Sequence, residues 1–174
     1  ETVIYTITSP PLIVTTSPAI EICPGDSAFI SASASGGYGN YYYVWPHNNT
    51  TVNSLWVYPS VTTNYVVNVS DECQTFSVPA IATVIVIEPN ANFEISSNTL
   101  MIGLPIAFQN TSTNASFYSW NFGEGTTSSL VNPIITYFID STYYVTLIVT
   151  DNKGCTDTIT KPITINKYFL GKLH

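Results

Sequence analysis

The sequence predicts an all-β fold made of two β-sandwich domains in tandem, and three observations predict it. Apolar and polar residues alternate with a period of two over short segments bounded by Gly, Pro, Asn and Ser. No segment shows helical periodicity, and the polar share is carried by Ser, Thr and Asn, which suit strands and turns better than helices. The whole pattern then occurs a second time.

In the first half, Thr2–Thr8 ahead of Pro10-Pro11 reads as an opening strand, either the first of this domain or the tail of a preceding one. Ala28, Ile30, Ala32 and Ala34 alternate with polar neighbours, and a turn at Gly36-Gly37-Tyr38-Gly39-Asn40 leads into the aromatic strand Tyr41-Tyr42-Tyr43-Val44-Trp45. Tyr65, Val67 and Val69 then face one way and Asn68 and Ser70 the other, ending at Asp71. In the second half, Ile106 and Phe108 take the part of the early strand and Tyr118, Trp120 and Phe122 that of the aromatic one. Tyr143, Val145, Leu147 and Val149 alternate with Tyr144, Thr146, Ile148 and Thr150, ending at Asp151. A repeat of roughly 75 to 80 residues is too long for a solenoid unit and suits an immunoglobulin-like sandwich, with a buried Trp on one strand near a Tyr opening another. The seam is expected at Glu88-Pro89-Asn90, where Pro cannot donate to a ladder, giving domains of residues 1–88 and 89–174.

Composition narrows the function. Only 9% of residues are charged, against about a quarter in average proteins, and 45% are hydrophobic, which is ample for a core and excludes disorder. The net charge is −7, the only cations are Lys153, Lys161, Lys167 and Lys172, and there is no Arg, so a phosphate backbone has nothing to bind and nucleic acid is excluded as a partner. No apolar run approaches the ~20 residues of a membrane helix, so no membrane insertion is expected. The start has no initiator Met, basic segment or signal core and reads as that of an excised or processed fragment. Three cysteines without CxxC or HxxxH spacing point to an oxidising compartment, hence an extracellular location.

The run Trp120-Asn121-Phe122-Gly123-Glu124-Gly125 resembles the WDFGDG signature of PKD domains. Asn132-Pro133-Ile134-Ile135-Thr136-Tyr137 follows in place of NPxHTY, and Thr142 to Asp151 matches GxYxVxLxVxD. The resemblance implies a family core of Trp120, Phe122, Gly123, Gly125, Pro133, Tyr137, Tyr143 and Asp151. Asn121, Glu124 and Ile135 depart from the pattern's two Asp and its His, so a site those residues build in relatives does not carry over. The first half resembles the Ig-like modules of surface proteins of gliding Bacteroidota, through Ile22 to Ser27, Ser35-Gly36-Gly37, Tyr43-Val44-Trp45 and Thr62 to Val69. Such modules stand beside PKD domains in adhesins and in cargo of the type IX secretion system.

Cys23, just before the Ala28 strand, and Cys73, just after the Tyr65 strand, are expected at one end of the first sandwich and to form a disulfide, with two separate thiols as the alternative. Such a loop closure contributes roughly 4 kcal/mol in the chain-entropy model. Cys155 is expected at the position equivalent to Cys73, without a partner. Tyr38, Tyr41 and Tyr42, with Phe117 and Tyr144 in the second half, form a candidate ligand surface for glycans or protein, since aromatics stack on sugars and anchor interfaces. Asp71, Glu72 and Glu88, and Asp151 with Asp157, are candidate calcium ligands, although no D-x-D-x-D run occurs and solvated turn residues, with no cofactor, are the favoured reading. Ser27, Ser141 and Thr158 fit a Bacteroidota O-glycosylation pattern, and Asn49, Asn68, Asn110 and Asn114 fit the eukaryotic sequon.

No catalytic constellation is legible: His47 and His174 are isolated, and no carboxylate pair, phosphate loop or metal spacing occurs. The expectation is a non-catalytic stalk of a large secreted bacterial adhesin, associated with gliding motility, whose partners are the neighbouring domains of the same protein. The alternative is an accessory carbohydrate-binding or spacer module of a secreted polysaccharide-degrading enzyme.

Overall fold

The computed structural model describes residues 10–96 and 99–167; the expected strand Thr2–Thr8 and the tail Gly171 to His174 lie outside the described residues. The chain divides into two units, Glu1–Ile87 and Glu88–His174. All regular structure among the described residues is strand, as the alternation predicts.

The first unit holds β1 (Ile13–Thr16), β2 (Ile20–Ile22), β3 (Ala28–Ser35), β4 (Tyr41–Val44), β5 (Ser54–Val57), β6 (Thr63–Asp71) and β7 (Ala80–Val86). They form two sheets, β1-β3-β5 and β2-β7-β6-β4. β2 and β7 are parallel, pairing Ile20 with Val84 and Ile22 with Val86, and the other named pairs are antiparallel. Each strand turns alternate residues inward, because only one face of a sandwich sheet meets the other. Ala28, Ile30 and Ala32 thus meet Tyr65, Val67 and Val69 around Trp45, with Val57, Ala82 and Val84 completing the core. The Trp45 ring is fully buried and its Nε1–H donates to the Val52 carbonyl at 2.8 Å, so the indole is buried at no cost in unpaired polarity.

The second unit holds β8 (Phe93–Ile95), β9 (Pro105–Asn110), β10 (Phe117–Asn121), β11 (Thr127–Ser128), β12 (Ile134–Thr136), β13 (Thr142–Thr150) and β14 (Thr156–Thr164). Its sheets are β12-β9-β8 and β11-β10-β13-β14, with Trp120 opposite Leu147 across β10 and β13. Trp120 is fully buried among Phe93, Phe108 and Phe122, at centroid distances of 5.2, 5.8 and 6.0 Å. Its Nε1–H donates to the Leu130 carbonyl at 2.9 Å, the same tie that Trp45 makes in the first unit. Truncating either Trp to Ala removes a core anchor worth about 3–5 kcal/mol.

Candidate functional site

Asp71 and Asp151 are the buried acidic residues of the described chain, and each ends the long strand of its unit. Asp71 Oδ1 accepts the backbone N–H groups of Cys73 at 3.0 Å and Thr75 at 2.8 Å, and its Oδ2 accepts that of Tyr38 at 2.9 Å. Asp151 Oδ1 accepts from Lys153 at 2.8 Å and Cys155 at 2.9 Å. In both turns the residue three after the Asp has a positive φ, 62° at Gln74 and 93° at Gly154, and the residue four after it returns its carbonyl to the Asp N–H. One device thus closes both hairpins: a carboxylate takes up the N–H groups that a tight turn leaves without ladder partners. Burial pushes the Asp71 carboxyl up, and the N–H groups of Thr75, Tyr38 and Cys73 outweigh it, holding the group below the usual carboxylate range. Asp151 Oδ2, by contrast, is buried with no hydrogen-bond partner among the described residues.

These turns correct the cysteine assignments. Cys73 is a free, exposed thiol, so the expected Cys23–Cys73 bridge is not formed. The reason is strand direction. Tyr38, just after β3, binds Asp71 at the end of β6, so β3 and β6 run the same way, and the start of one lies a strand's length away from the end of the other. The nine residues of β6 span about 30 Å, against a Cα separation of about 7 Å at most for a disulfide. Cys23 and Cys155 are both disulfide-bonded, which overturns the expectation of an unpaired Cys155. Cys155 also stands two residues from its expected place: four after Asp151, it matches Thr75, whereas Lys153 matches Cys73.

The motif residues of the second unit explain one another. Trp120 and Phe122 fill the core, Asn121 Oδ1 accepts the Gly123 N–H at 2.9 Å, and Gly123 and Gly125 turn at φ of 84° and 90°. A Cβ on Gly123 would lie 3.1 Å from the backbone N and O of Tyr144, which gives that glycine a packing reason besides its φ. Asn132 Oδ1 accepts the Asn110 N–H at 2.8 Å, and the buried Pro133 offers its carbonyl to Phe108 at 2.9 Å. Tyr137 donates its hydroxyl to the Phe122 carbonyl at 2.9 Å and stacks on Tyr143 at 4.2 Å, and Tyr143 donates to the Ile139 carbonyl at 3.0 Å. Burial first, and the charges of Glu124 and Tyr143 after it, push the Tyr137 phenol far above its usual range.

The candidate ligand tyrosines do not converge. Tyr38 and Tyr42 are exposed, but Tyr41 faces the core and donates to the Gly36 carbonyl at 2.8 Å, because alternation turns it opposite to Tyr42. In the second unit Phe117 lies opposite Thr150, six residues and about 20 Å along β13 from Tyr144, so the two exposed rings do not make one patch. The candidate calcium ligands are spent or scattered: Asp157 Oδ2 accepts the Ala91 N–H at 2.7 Å, Glu72 Oε1 meets Asn40 Nδ2 at 3.4 Å, and Glu88 is exposed. Among the described residues no three His, Cys, Asp or Glu side chains gather as a metal site would require. Ser27, Ser141 and Thr158 are all exposed. An apolar groove of about 340 Å³ lined by Leu12, Ile13, Val14, Val78, Pro79 and Ala80 offers no acid, base or nucleophile.

One exposed aromatic pair was not singled out from the sequence. Phe29 on β3 and Trp56 on β5 are direct cross-strand neighbours on the outer face of the β1-β3-β5 sheet, with ring centroids 5.2 Å apart. The alternation of Ala28, Ile30 and Ala32 already turns Phe29 outward, but the register that sets Trp56 beside it is a tertiary fact.

Residues 87–166 match the family model described as the PKD domain. Over 84 residues, 46% of this chain, the sequence is 39% identical to the pre-pro-metalloprotease PrtV of Vibrio cholerae, in strains M66-2 and El Tor Inaba N16961. The chain spans 9% of the length of these curated relatives. The crystal structure of the PKD1 domain of Vibrio anguillarum Epp is 32% identical, covering 47% of this chain and 98% of that one, with a TM-score of 0.42. That of the PKD1 domain from PrtV is 37% identical over 46% of this chain and 99% of that one, with a TM-score of 0.40. The second unit is therefore similar to PKD domains, which serve as accessory or structural modules.

Proposed function

We propose that this chain is a stalk segment of a large secreted bacterial surface adhesin, of the kind used in gliding motility, with the neighbouring domains of the same protein as its partners. The observation that carries the reading is the repetition of one closed module. Each unit buries its own Trp-centred core and ends its long strand with the same Asp-held turn. The buried acids and their phenol counterparts are taken up in that architecture: Asp71 and Asp151 hold turns, and Tyr137 and Tyr143 tie backbone. The disulfide-bonded state of Cys23 and Cys155 supports an extracellular address, where such bonds persist. The likeness of the first half to Ig-like surface modules supports the adhesin setting. A replacement experiment tests it: in the parent protein, residues 10–167 are exchanged for two unrelated sandwich domains or deleted. A stalk predicts that exchange preserves adhesion and deletion impairs it; loss of adhesion on exchange refutes the reading.

A second reading, an accessory module beside a catalytic domain, is favoured by the 39% identity to a segment of a metalloprotease. The flanking domains of the full-length protein decide between the two.

A further inference from the structure

The outer face of the β1-β3-β5 sheet combines three properties. It carries exposed aromatic rings: Phe29 is 46% exposed, Trp56 59%, and Tyr58, just past the end of β5, 72%. The two paired rings are tilted by 51°, so they offer an open, angled surface and do not cover each other. The face continues into hydroxyls: the next cross-strand pair is Ser31 with Ser54, followed on β3 by Ser33 opposite Thr15, all within about 13 Å of Phe29 along the strand. Finally, β1, β3 and β5 contain no charged residue; the acidic residues described in this unit, Glu21, Asp26, Asp71 and Glu72, lie on other segments or at the end of β6, and the unit has no Lys or Arg.

We propose that this face is a binding site for a neutral polysaccharide, with Phe29 and Trp56 stacking on sugar rings and the Ser31, Ser33 and Ser54 hydroxyls bonding ring substituents. The chemistry matches term by term. A pyranose presents a C–H face to an aromatic ring and a rim of hydroxyls to hydroxyl partners. A charge-free strip in an acidic, cation-free unit repels sulfated or uronic polymers, which would need Lys or Arg. A protein partner would be expected to find charged or amide rim groups around the aromatic centre, and this strip offers hydroxyls. The site goes beyond the stalk reading, so its failure leaves that reading standing.

The test is affinity electrophoresis of the chain in gels containing mixed-linkage β-glucan, xylan or galactomannan, with pull-down on cellulose and chitin. Trp45 and Trp120 are fully buried, so Trp56 supplies the exposed indole whose fluorescence reports contact. The expected result is retardation by at least one of these polymers with a shift in emission, weakened about tenfold in Trp56→Ala and in Phe29→Ala, and largely restored in Trp56→Phe. Tyr42→Ala, on the other sheet, should bind as the parent does, and circular dichroism should show all variants folded. Failure to bind any of the five polymers overturns the proposal. So does binding that survives Trp56→Ala, is lost in Tyr42→Ala, or is shown only toward a protein.

Discussion

Replacing Tyr137 with Phe deletes one oxygen from the centre of the second unit and changes nothing else. That hydroxyl donates to the Phe122 carbonyl at 2.9 Å with both residues fully buried, while the ring keeps its place 4.2 Å from Tyr143. Without the phenol the carbonyl is stranded where no water can replace it, at a cost of about 1–3 kcal/mol. For a unit of this size each kcal/mol lowers the melting temperature by about 4–8 °C, so the variant should melt roughly 5–20 °C lower. Tyr143→Phe removes a bond of 3.0 Å in a part-buried setting and should cost about half as much. The alkaline limb adds a second signature. The phenol of Tyr137 is pushed up in the folded state, so the folded chain keeps a proton that the unfolded chain releases near pH 10. Its contribution is complete below about pH 10 and lost as the pH rises above that, toward the folded value. Thermal melts followed by circular dichroism at neutral pH and at about pH 11 measure both effects, and subtracting the variant from the parent cancels the other tyrosines. A variant that melts within about 2 °C of the parent and falls as steeply at alkaline pH would refute the argument that this hydroxyl is locked to Phe122.

Acid should act on the first unit through Asp71. Its carboxyl is held down in the folded state, so its stabilisation is present above the unfolded value of about 3.9 and is lost as the pH falls through the folded one. Asp71→Asn should flatten the acid limb of that unit's melting curve, and an unchanged limb would show that the turn does not depend on the charge. A thiol-reagent titration of the native chain without reductant should find one reactive cysteine, none in Cys73→Ser, and three in the unfolded, reduced parent. Gly37→Ala should cost about 1–3 kcal/mol in denaturant unfolding, because it forces an L-residue to a φ of 62° and sets a Cβ 2.7 Å from Asp71 Oδ2. Gly103→Ala, at a φ of 75° but in open space, should cost only about 1 kcal/mol, and equal losses at the two sites would remove the steric part of the argument.

What was legible in the sequence is whatever one strand decides alone. β6 and β13 announce themselves because one face of each is buried, so Tyr65, Val67 and Val69, like Tyr143, Val145, Leu147 and Val149, must recur every second residue. The repeat of Trp and Asp was equally visible, since both halves spend them on the same tasks. Alternation tells which way a side chain faces, however, and not which way a strand runs. That is why Cys23 and Cys73 were placed at one end of the sandwich although the common direction of β3 and β6 puts them at opposite ends. The turn register failed for a local reason. Its left-handed position is filled by Gly154 in one unit but by Gln74 in the other, so the glycine that would have aligned Cys155 with Thr75 has no counterpart. Cross-strand register, too, is absent from a single strand, which left Trp56 unremarked beside Phe29.

The two units also spend their aromatic residues in opposite ways. The second buries Phe93, Phe108, Trp120, Phe122, Tyr137 and Tyr143 and exposes Phe117, Phe138 and Tyr144. Among its described residues the first buries Trp45 and Tyr65, fills the rest of its core with aliphatic residues such as Ile30, Val67 and Ala82, and exposes Phe29, Tyr38, Tyr42, Trp56, Tyr58 and Phe76. Aromatic rings stabilise a small sandwich most when they are inside it, and on a surface they carry a standing risk of association. A chain selected only to be a stable spacer would gain by moving rings inward, as the second unit does. The first unit forgoes that gain, and the Phe29 and Trp56 pair sits on the sheet least burdened with charge, where exposed rings are easiest to bring against another surface. On the binding role proposed for the first unit, the asymmetry divides the work of the two sandwiches: stability falls to the second unit, and contact to the first.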